Sequence, residues 1–319
     1  MSTDKKIAEA SAHLQAAEKC LKTSFFKWNP DLDGAASEYV KAATCYRNAK
    51  LLAEARSAYL KAAEMQERMK SPFHAAKSYE QAGLLSKENK ELDQAVKYME
   101  RASVMFQEHG TPDTAALCLE KAAKMVELTH PAQAVELYKR ASDVADIEDR
   151  PRQSAENIGK AGRLLINLQR YEEAIECLSK EIQFYAAAEN YAMISKLVLA
   201  VVMLKLTLGD YVAADQFYNS AVSYPQFPDS EESAAIYELL QAYDSGDEEN
   251  ARKVLALPLI KYMDNCFAKL ARALVIPGGM RVGGGQKQMG GLSQINDLSD
   301  PAGGGPTQLD DEELDEGLC

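Results

Sequence analysis

The chain has 319 residues, 46% of them apolar, and a formal net charge of −12. That is long enough for a large core or an array of repeats and too acidic for a general nucleic-acid binder. No apolar run is long enough to cross a bilayer, and the polar opening MSTDKKIAEA has no secretory apolar core, so the expected compartment is the cytoplasm. The six cysteines, Cys20, Cys45, Cys118, Cys177, Cys266 and Cys319, form no Cys-x-x-Cys pair and read as reduced packing thiols. The four histidines, His13, His74, His109 and His130, never stand in pairs at zinc-ligand spacing.

Ala10, Leu14, Ala17 and Leu21 lie on one face of a first helix. TSFFKWNPD, residues 23–31, follows, with Asn29, Pro30 and Asp31 marking a turn. Phe25, Phe26 and Trp28 crowd that turn, where small polar residues are the rule.

From residue 35 the chain repeats. Small anchors recur at Ala35, Ala55, Ala75, Ala95, Ala115, Ala134, Ser154 and Ala174, in steps of twenty with one of nineteen. Four residues later stands a larger residue: Tyr39, Tyr59, Tyr79, Met99, Leu119, Tyr138, Ile158 or Leu178. Seven residues later alanine returns, from Ala42 to Ala161, until Glu181 breaks the series. Offsets of four and seven share one helical face. Ile194, Ala214 and Ala235 continue the frame. Pro72, Pro112, Pro131 and Pro151 fall three residues before their anchors, where proline suits a first helical turn, with Ser71 and Thr111 as N-caps for two of them. Each unit is therefore one helix of about fifteen residues plus a short connection. The expected fold is all-α: a tetratricopeptide-like α-solenoid of antiparallel helical hairpins, with about 13–14 helices.

Beyond Ala242 the pattern fades. DEENARKVLAL and LIKYMDNCFAKLARALVI read as two helices parted by Pro258, the second capping the array and stopped by Pro277. The expected organisation is a repeat array over 1–245, capping helices over 246–277, a glycine-rich linker over 278–308 and an acidic tail over 309–319. QLDDEELDEGLC holds six acids and no base.

The stretches AEKCLKTSFFKWNPDLDGAASEYVKAA, FHAAKSYEQAG, HGTPDTAALCLEKAAKM, GDYVAADQFY, KYMDN and VIPGG, followed by an acidic end closing in GLC, together resemble the soluble attachment proteins for the N-ethylmaleimide-sensitive factor, the SNAP family, in its gamma type. The resemblance spans essentially the whole chain. It implies a non-enzymatic adaptor without a cofactor. Such adaptors bind SNARE four-helix bundles, syntaxin-containing ones among them, on membranes. They recruit and stimulate the N-ethylmaleimide-sensitive factor, a ring ATPase that pulls the bundle apart in vesicle fusion and trafficking, including transport from ER to Golgi.

Three candidate sites follow from that resemblance. The family's first interhelix loop touches the bilayer, which assigns Phe25, Phe26 and Trp28, with Lys22 and Lys27, to an anionic membrane surface. Each aromatic buried is worth roughly 1.5–3 kcal/mol, tryptophan favours the headgroup level, and each lysine adds about 1 kcal/mol. The alternative is that the aromatics fold back under the first helix pair. The second site is a basic row six residues after the anchors: Lys41, Lys61, Gln81, Arg101, Lys121, Arg140, Lys160 and Lys180. SNARE contacts are assigned to Lys160, in GKAGR where relatives use a lysine, and to Arg163, Lys121 and Arg101. The alternative is ordinary helix chemistry, the lysine stems covering apolar surface. A second basic contact of the alpha type has no counterpart in DTAALCLEKAAK. The third site is a tail of Asp310, Asp311, Glu312, Glu313, Leu314, Asp315, Glu316 and Leu318 docking on a basic face of the ATPase; the alternative is a solvated tail. Cys319 is not placed for prenylation.

Two other classes remain to be weighed. An enzyme would need a nucleophile, acid–base or metal constellation, and no such spacing appears. A generic tetratricopeptide-type co-chaperone or scaffold would clamp free peptides, whereas a SNARE adaptor engages a helical bundle.

Overall fold

In a computed structural model of the chain, residues 3–23 and 28–277 are described. The chain divides into units 1–279 and 280–319, and the second unit, with most of the glycine-rich stretch and all of the acidic tail, lies outside the described residues. Among the described residues there are fifteen α-helices and no strand. They run α1 (Thr3–Leu21), α2 (Leu32–Asn48), α3 (Leu52–Arg68), α4 (Pro72–Glu88), α5 (Leu92–His109), α6 (Pro112–Val126), α7 (Pro131–Ile147), α8 (Pro151–Asn167), α9 (Tyr171–Ala187), α10 (Tyr191–Thr207), α11 (Tyr211–Ala221), α12 (Glu231–Ser245), α13 (Glu248–Leu255), α14 (Pro258–Lys261) and α15 (Asn265–Ala273).

Each helix from α1 to α9 packs on the next, as a tetratricopeptide-like solenoid requires. The anchors and the alanines seven residues on, Ala42 to Ala161, are completely buried. Their missing bulk lets neighbouring backbones approach, while Met99, Leu119, Tyr138 and Leu178 fill the space between them.

The register is kept by the turns. Lys50, Lys70, Lys90, Gly110, Asp149, Gln169, Glu189 and Gly209 all have positive φ. In each case the following N–H reaches five residues back, as in Ser71 to Gln66 at 2.9 Å, Thr111 to Phe106 at 2.9 Å and Asn190 to Tyr185 at 2.8 Å. This is a Schellman closure, which satisfies a carbonyl left over at the helix end. The α6–α7 turn differs: His130 N–H bonds Val126 O, four residues back, at 2.7 Å, and its residues, all described, keep negative φ. One residue is saved, which accounts for the single nineteen-residue step.

Three features depart from expectation. Ser71 and Thr111 occupy N-cap positions, but neither side chain caps its helix. The preceding turn sets their ψ at 73° and 63°, so Thr111 Oγ1 donates to Phe106 O at 3.0 Å and Ser71 Oγ bonds His74 Nδ1 at 2.9 Å. Second, α10 does not show one apolar face: eleven of its residues are buried, because α9, α11, α12 and α15 surround it. Third, the stretch after Pro258 is two helices, not one. It breaks at Asp264, whose backbone is extended (ψ 142°) and whose carboxylate is ion-paired to Arg163 of α8. That pairing holds α15 against α8.

Candidate functional site

The ends of the aromatic loop are tied together. Asp31 N–H donates to Cys20 O at 3.0 Å, and the Asp31 carboxylate accepts from Gly34 N at 2.9 Å, capping α2. Trp28 is 81% exposed and Lys22 is exposed. Phe25, Phe26 and Lys27 lie outside the described residues, as do all eight residues assigned to the tail.

The basic row is a ladder of ion pairs. Lys121 Nζ donates to Glu80 at 2.7 Å and Lys160 Nζ to Glu120 at 2.7 Å; Arg140 pairs with Glu100. Each acid stands five residues after an anchor and 40 or 41 residues before its cation. The partners therefore sit on every second helix: α4, α6 and α8 form one rail, α5 and α7 the other. Arg101 belongs elsewhere, donating to Glu67 of α3 at 2.9 Å. Lys41 pairs with Glu38 at 2.7 Å, Gln81 accepts from Arg47 at 3.1 Å, and Lys180 is exposed. The ammoniums of Lys61 and Lys160 also lie over the rings of Tyr39 and Tyr138, at 5.6 and 5.7 Å.

These contacts set the charge states. Burial works against the Glu120 charge, but hydrogen bonds from Lys160 and Lys124 outweigh it and hold the carboxyl below the usual range. Burial also works against Lys121, and its bond to Glu80 more than offsets this, raising the ammonium. Positive and negative groups thus alternate along the rail.

Arg163 stands apart from the ladder. Its guanidinium bonds the Glu181 carboxylate at 3.1 and 3.3 Å, pairs with Asp264 and lies 5.4 Å over the Phe267 ring. Burial opposes its charge, and Glu181 and Asp264 together more than compensate, so it stays protonated. Burial pushes the Glu181 carboxyl up, further than Arg163 draws it down. The room for this pair comes from Gly159: a Cβ there would lie 2.5 Å from the Glu181 carboxyl and 2.6 Å from the Arg163 guanidinium. The break in the alanine series at Glu181 is therefore matched by a glycine on the facing helix. Of the four residues assigned to SNARE contact, the structure brings Lys121 and Lys160 onto one rail. Arg101 joins a different pair, and Arg163 faces the capping helices.

Sequence reasoning missed the acids of the ladder, although Glu80, Glu100 and Glu120 recur every twenty residues, one position before Gln81, Arg101 and Lys121. It also missed Asp264, whose partner is 101 residues away. Burial pushes the Cys118 thiol up to about 12 and Cys177 up to about 11, and raises Cys266 as well, in keeping with packing thiols rather than nucleophiles; Cys45 is also raised but only half-buried. No described helix is long and apolar enough to cross a membrane.

Known proteins share this arrangement of sequence. The family model "Soluble NSF attachment protein, SNAP" matches residues 7–257. The gamma-soluble NSF attachment protein of Dictyostelium discoideum is 28% identical over 276 residues, covering 86% of this chain and 85% of its own length. Its Arabidopsis thaliana counterpart is 27% identical over 155 residues, 48% of this chain and 52% of its own. Among solved structures, aspartyl phosphate phosphatase F from Bacillus subtilis is similar with a TM-score of 0.38 and 15% identity, covering 90% of this chain and 88% of that one. The family match takes in the aromatic loop, the whole ladder and the Arg163–Glu181 pair, and with relatives of the gamma type it establishes that this chain belongs to the soluble NSF attachment protein family, SNAP.

Proposed function

We propose that the chain is a SNAP-type adaptor that binds assembled SNARE bundles on membranes, recruits and stimulates the ATPase NSF, and performs no chemical step itself. The observation that carries this reading is the family match over residues 7–257. The loop supplies the membrane contact through Phe25, Phe26 and Trp28, flanked by Lys22 and Lys27; the 81% exposure of Trp28 favours this over an aromatic cluster folded inward. Its affinity for lipid is weak by design of the sum, since ordering the loop offsets part of the aromatic burial. A second contact, the SNARE bundle, then sets how long the chain stays bound. Lys160 and Lys121 share a rail and supply the bundle contact, with Arg101 on its neighbour helix; Arg163 contributes by holding the cap. The acidic residues Asp310–Glu316, with Leu314 and Leu318, dock the ATPase.

The test is reconstituted disassembly of a SNARE bundle by purified NSF. Adding this chain accelerates disassembly, and the chain cut after Gln308 still captures the bundle without accelerating it. Disassembly at the same rate with and without the full chain overturns the adaptor reading. Phe25→Ser with Phe26→Ser slows disassembly of liposome-anchored bundles and spares soluble ones; equal effects on both reject the membrane role.

A further inference from the structure

Glu9 and His13 stand one turn apart on α1, and Cys45 approaches them from the last turn of α2. One ligand atom of each lies within 4.8 Å of the others. Linear spacing hid this group, because the thiol comes from a second helix, 32 residues beyond the histidine.

Three observations raise the group above a chance meeting of polar side chains. Its donors, a carboxylate oxygen, an imidazole nitrogen and a sulfur, are the set that zinc prefers. His13 Nδ1 is already bonded to Glu38 Oε2 at 2.7 Å; with a carboxylate accepting at Nδ1, an incoming cation would be taken by Nε2 of the neutral ring. Glu38 is itself fixed by Lys41 at 2.7 Å. A carboxylate behind a ligating histidine is the usual outer support of a metal site. Finally, position 45 departs from the repeat. Ten residues after the anchor, the following units carry Met65, Leu85, Met105, Met125, Val144, Leu164 and Phe184, all large and apolar. Cys45 alone in that series offers a thiol, which can ionise to the anionic ligand zinc takes.

We propose that Glu9, His13 and Cys45 bind a thiophilic divalent cation, Zn²⁺, with Glu38 orienting the histidine and water completing the shell. Ligand bonds of ~2.0–2.3 Å place donor atoms about 3.5 Å apart, so the group closes by roughly an ångström on binding; Glu9 is exposed and free to make that move. The carboxylate and thiolate together balance a divalent charge. The ion would join α1 to α2 at the terminal unit of the array. There α1 fully buries only Ala10 and Ala17, and an ion that binds the folded pair alone stabilises it by mass action.

The test uses the full chain stripped of metal. Calorimetric titration with Zn²⁺ shows a single ion per chain, and Co²⁺ gives a thiolate-to-cobalt absorption band. Cys45→Ala and His13→Gln abolish the band, Cys20→Ala with Cys319→Ser keeps it, and Glu38→Gln weakens binding by ~10–100-fold. In the unmodified chain, Zn²⁺ protects Cys45 from alkylation, read by peptide mass, so the result stands even if the Cys45 variant loses helix. Absence of the cobalt band, its survival in Cys45→Ala, or alkylation of Cys45 at the same rate with and without Zn²⁺ overturns the proposal.

Discussion

The ladder along α4–α8 and the clamp around Arg163 are built from the same side chains, a cation and a glutamate on different helices, yet solvent gives them different weight. In the ladder, Lys121, Lys160 and Arg140 reach across helix edges with their charged ends in contact with water. The Arg140–Glu100 pair, open to water at both ends, contributes ~0–1 kcal/mol, whereas Lys121 and Lys160 also compensate the more enclosed Glu80 and Glu120; all three orient one helix against the next but one. In the clamp, Glu181 is 1% exposed. There the pair gains little over an apolar substitute, but removing one partner strands a buried charge. The ladder cations thus stay within reach of solvent, while Arg163 is held between Glu181, Asp264 and the Phe267 ring.

The largest expected effect comes from Arg163→Ala. It leaves Glu181 uncompensated and should cost ~3–5 kcal/mol in chemical denaturation. Adding Glu181→Ala, which restores the alanine of the other units, should recover much of that loss. Strictly additive losses in the two variants would break the distinction drawn between clamp and ladder. Lys160→Glu comes next: with Glu120 left largely enclosed beside a second carboxylate, stability should fall by ~1–3 kcal/mol, while SNARE capture weakens and NSF recruitment persists. Unchanged capture would remove Lys160 from the bundle contact.

Acid separates the two regions further. The Glu38 carboxyl, bonded by Lys41 and His13, and the Glu120 carboxyl both lie below the usual value of 4.5 in the fold. Their stabilisation is complete above the unfolded value and disappears as pH falls through their lowered folded values. Glu181, raised by burial, has the opposite sign: its ionisation costs the fold, and acid relieves that cost. In melting curves against pH, Glu120→Gln should flatten the acid loss of stability and Glu181→Gln should steepen it. The same direction for both would contradict the assigned charge states. The smallest effect belongs to the turns. Lys90 has φ 62° and Gly110 φ 81°, so Lys90→Gly should gain, and Gly110→Ala lose, about 1 kcal/mol or less by differential scanning.

Much of this was legible in the residues. Helix starts at Leu32, Leu52, Pro72, Leu92, Pro112, Pro131, Pro151, Tyr171, Tyr191 and Tyr211 all fall on the three-before-anchor position, because proline and apolar side chains mark the first turn independently of context. The left-handed turns at Lys50, Lys70, Lys90, Gln169 and Glu189 were not legible, since those residues are not turn formers by type. Hydrogen bonds of the preceding helix end impose that conformation on them. The break at Asp264 was equally invisible: its cause, Arg163, is remote in the chain.

For the candidate sites the division is similar. The cations at the sixth position, and the acids Glu80, Glu100 and Glu120 at the fifth, recur in the sequence, but which acid meets which cation depends on every second helix lying on the same rail. Composition and period determined the class of fold and its register, because a twenty-residue repeat of small and large residues on one face has one way to hide that face, against its neighbours. Tertiary structure decided which charges are neutralised, which arginine is buried, and which carboxylate, imidazole and thiol are brought together from α1 and α2. Those outcomes depend on distances between helices, and distance across the array is not written in the spacing along the chain.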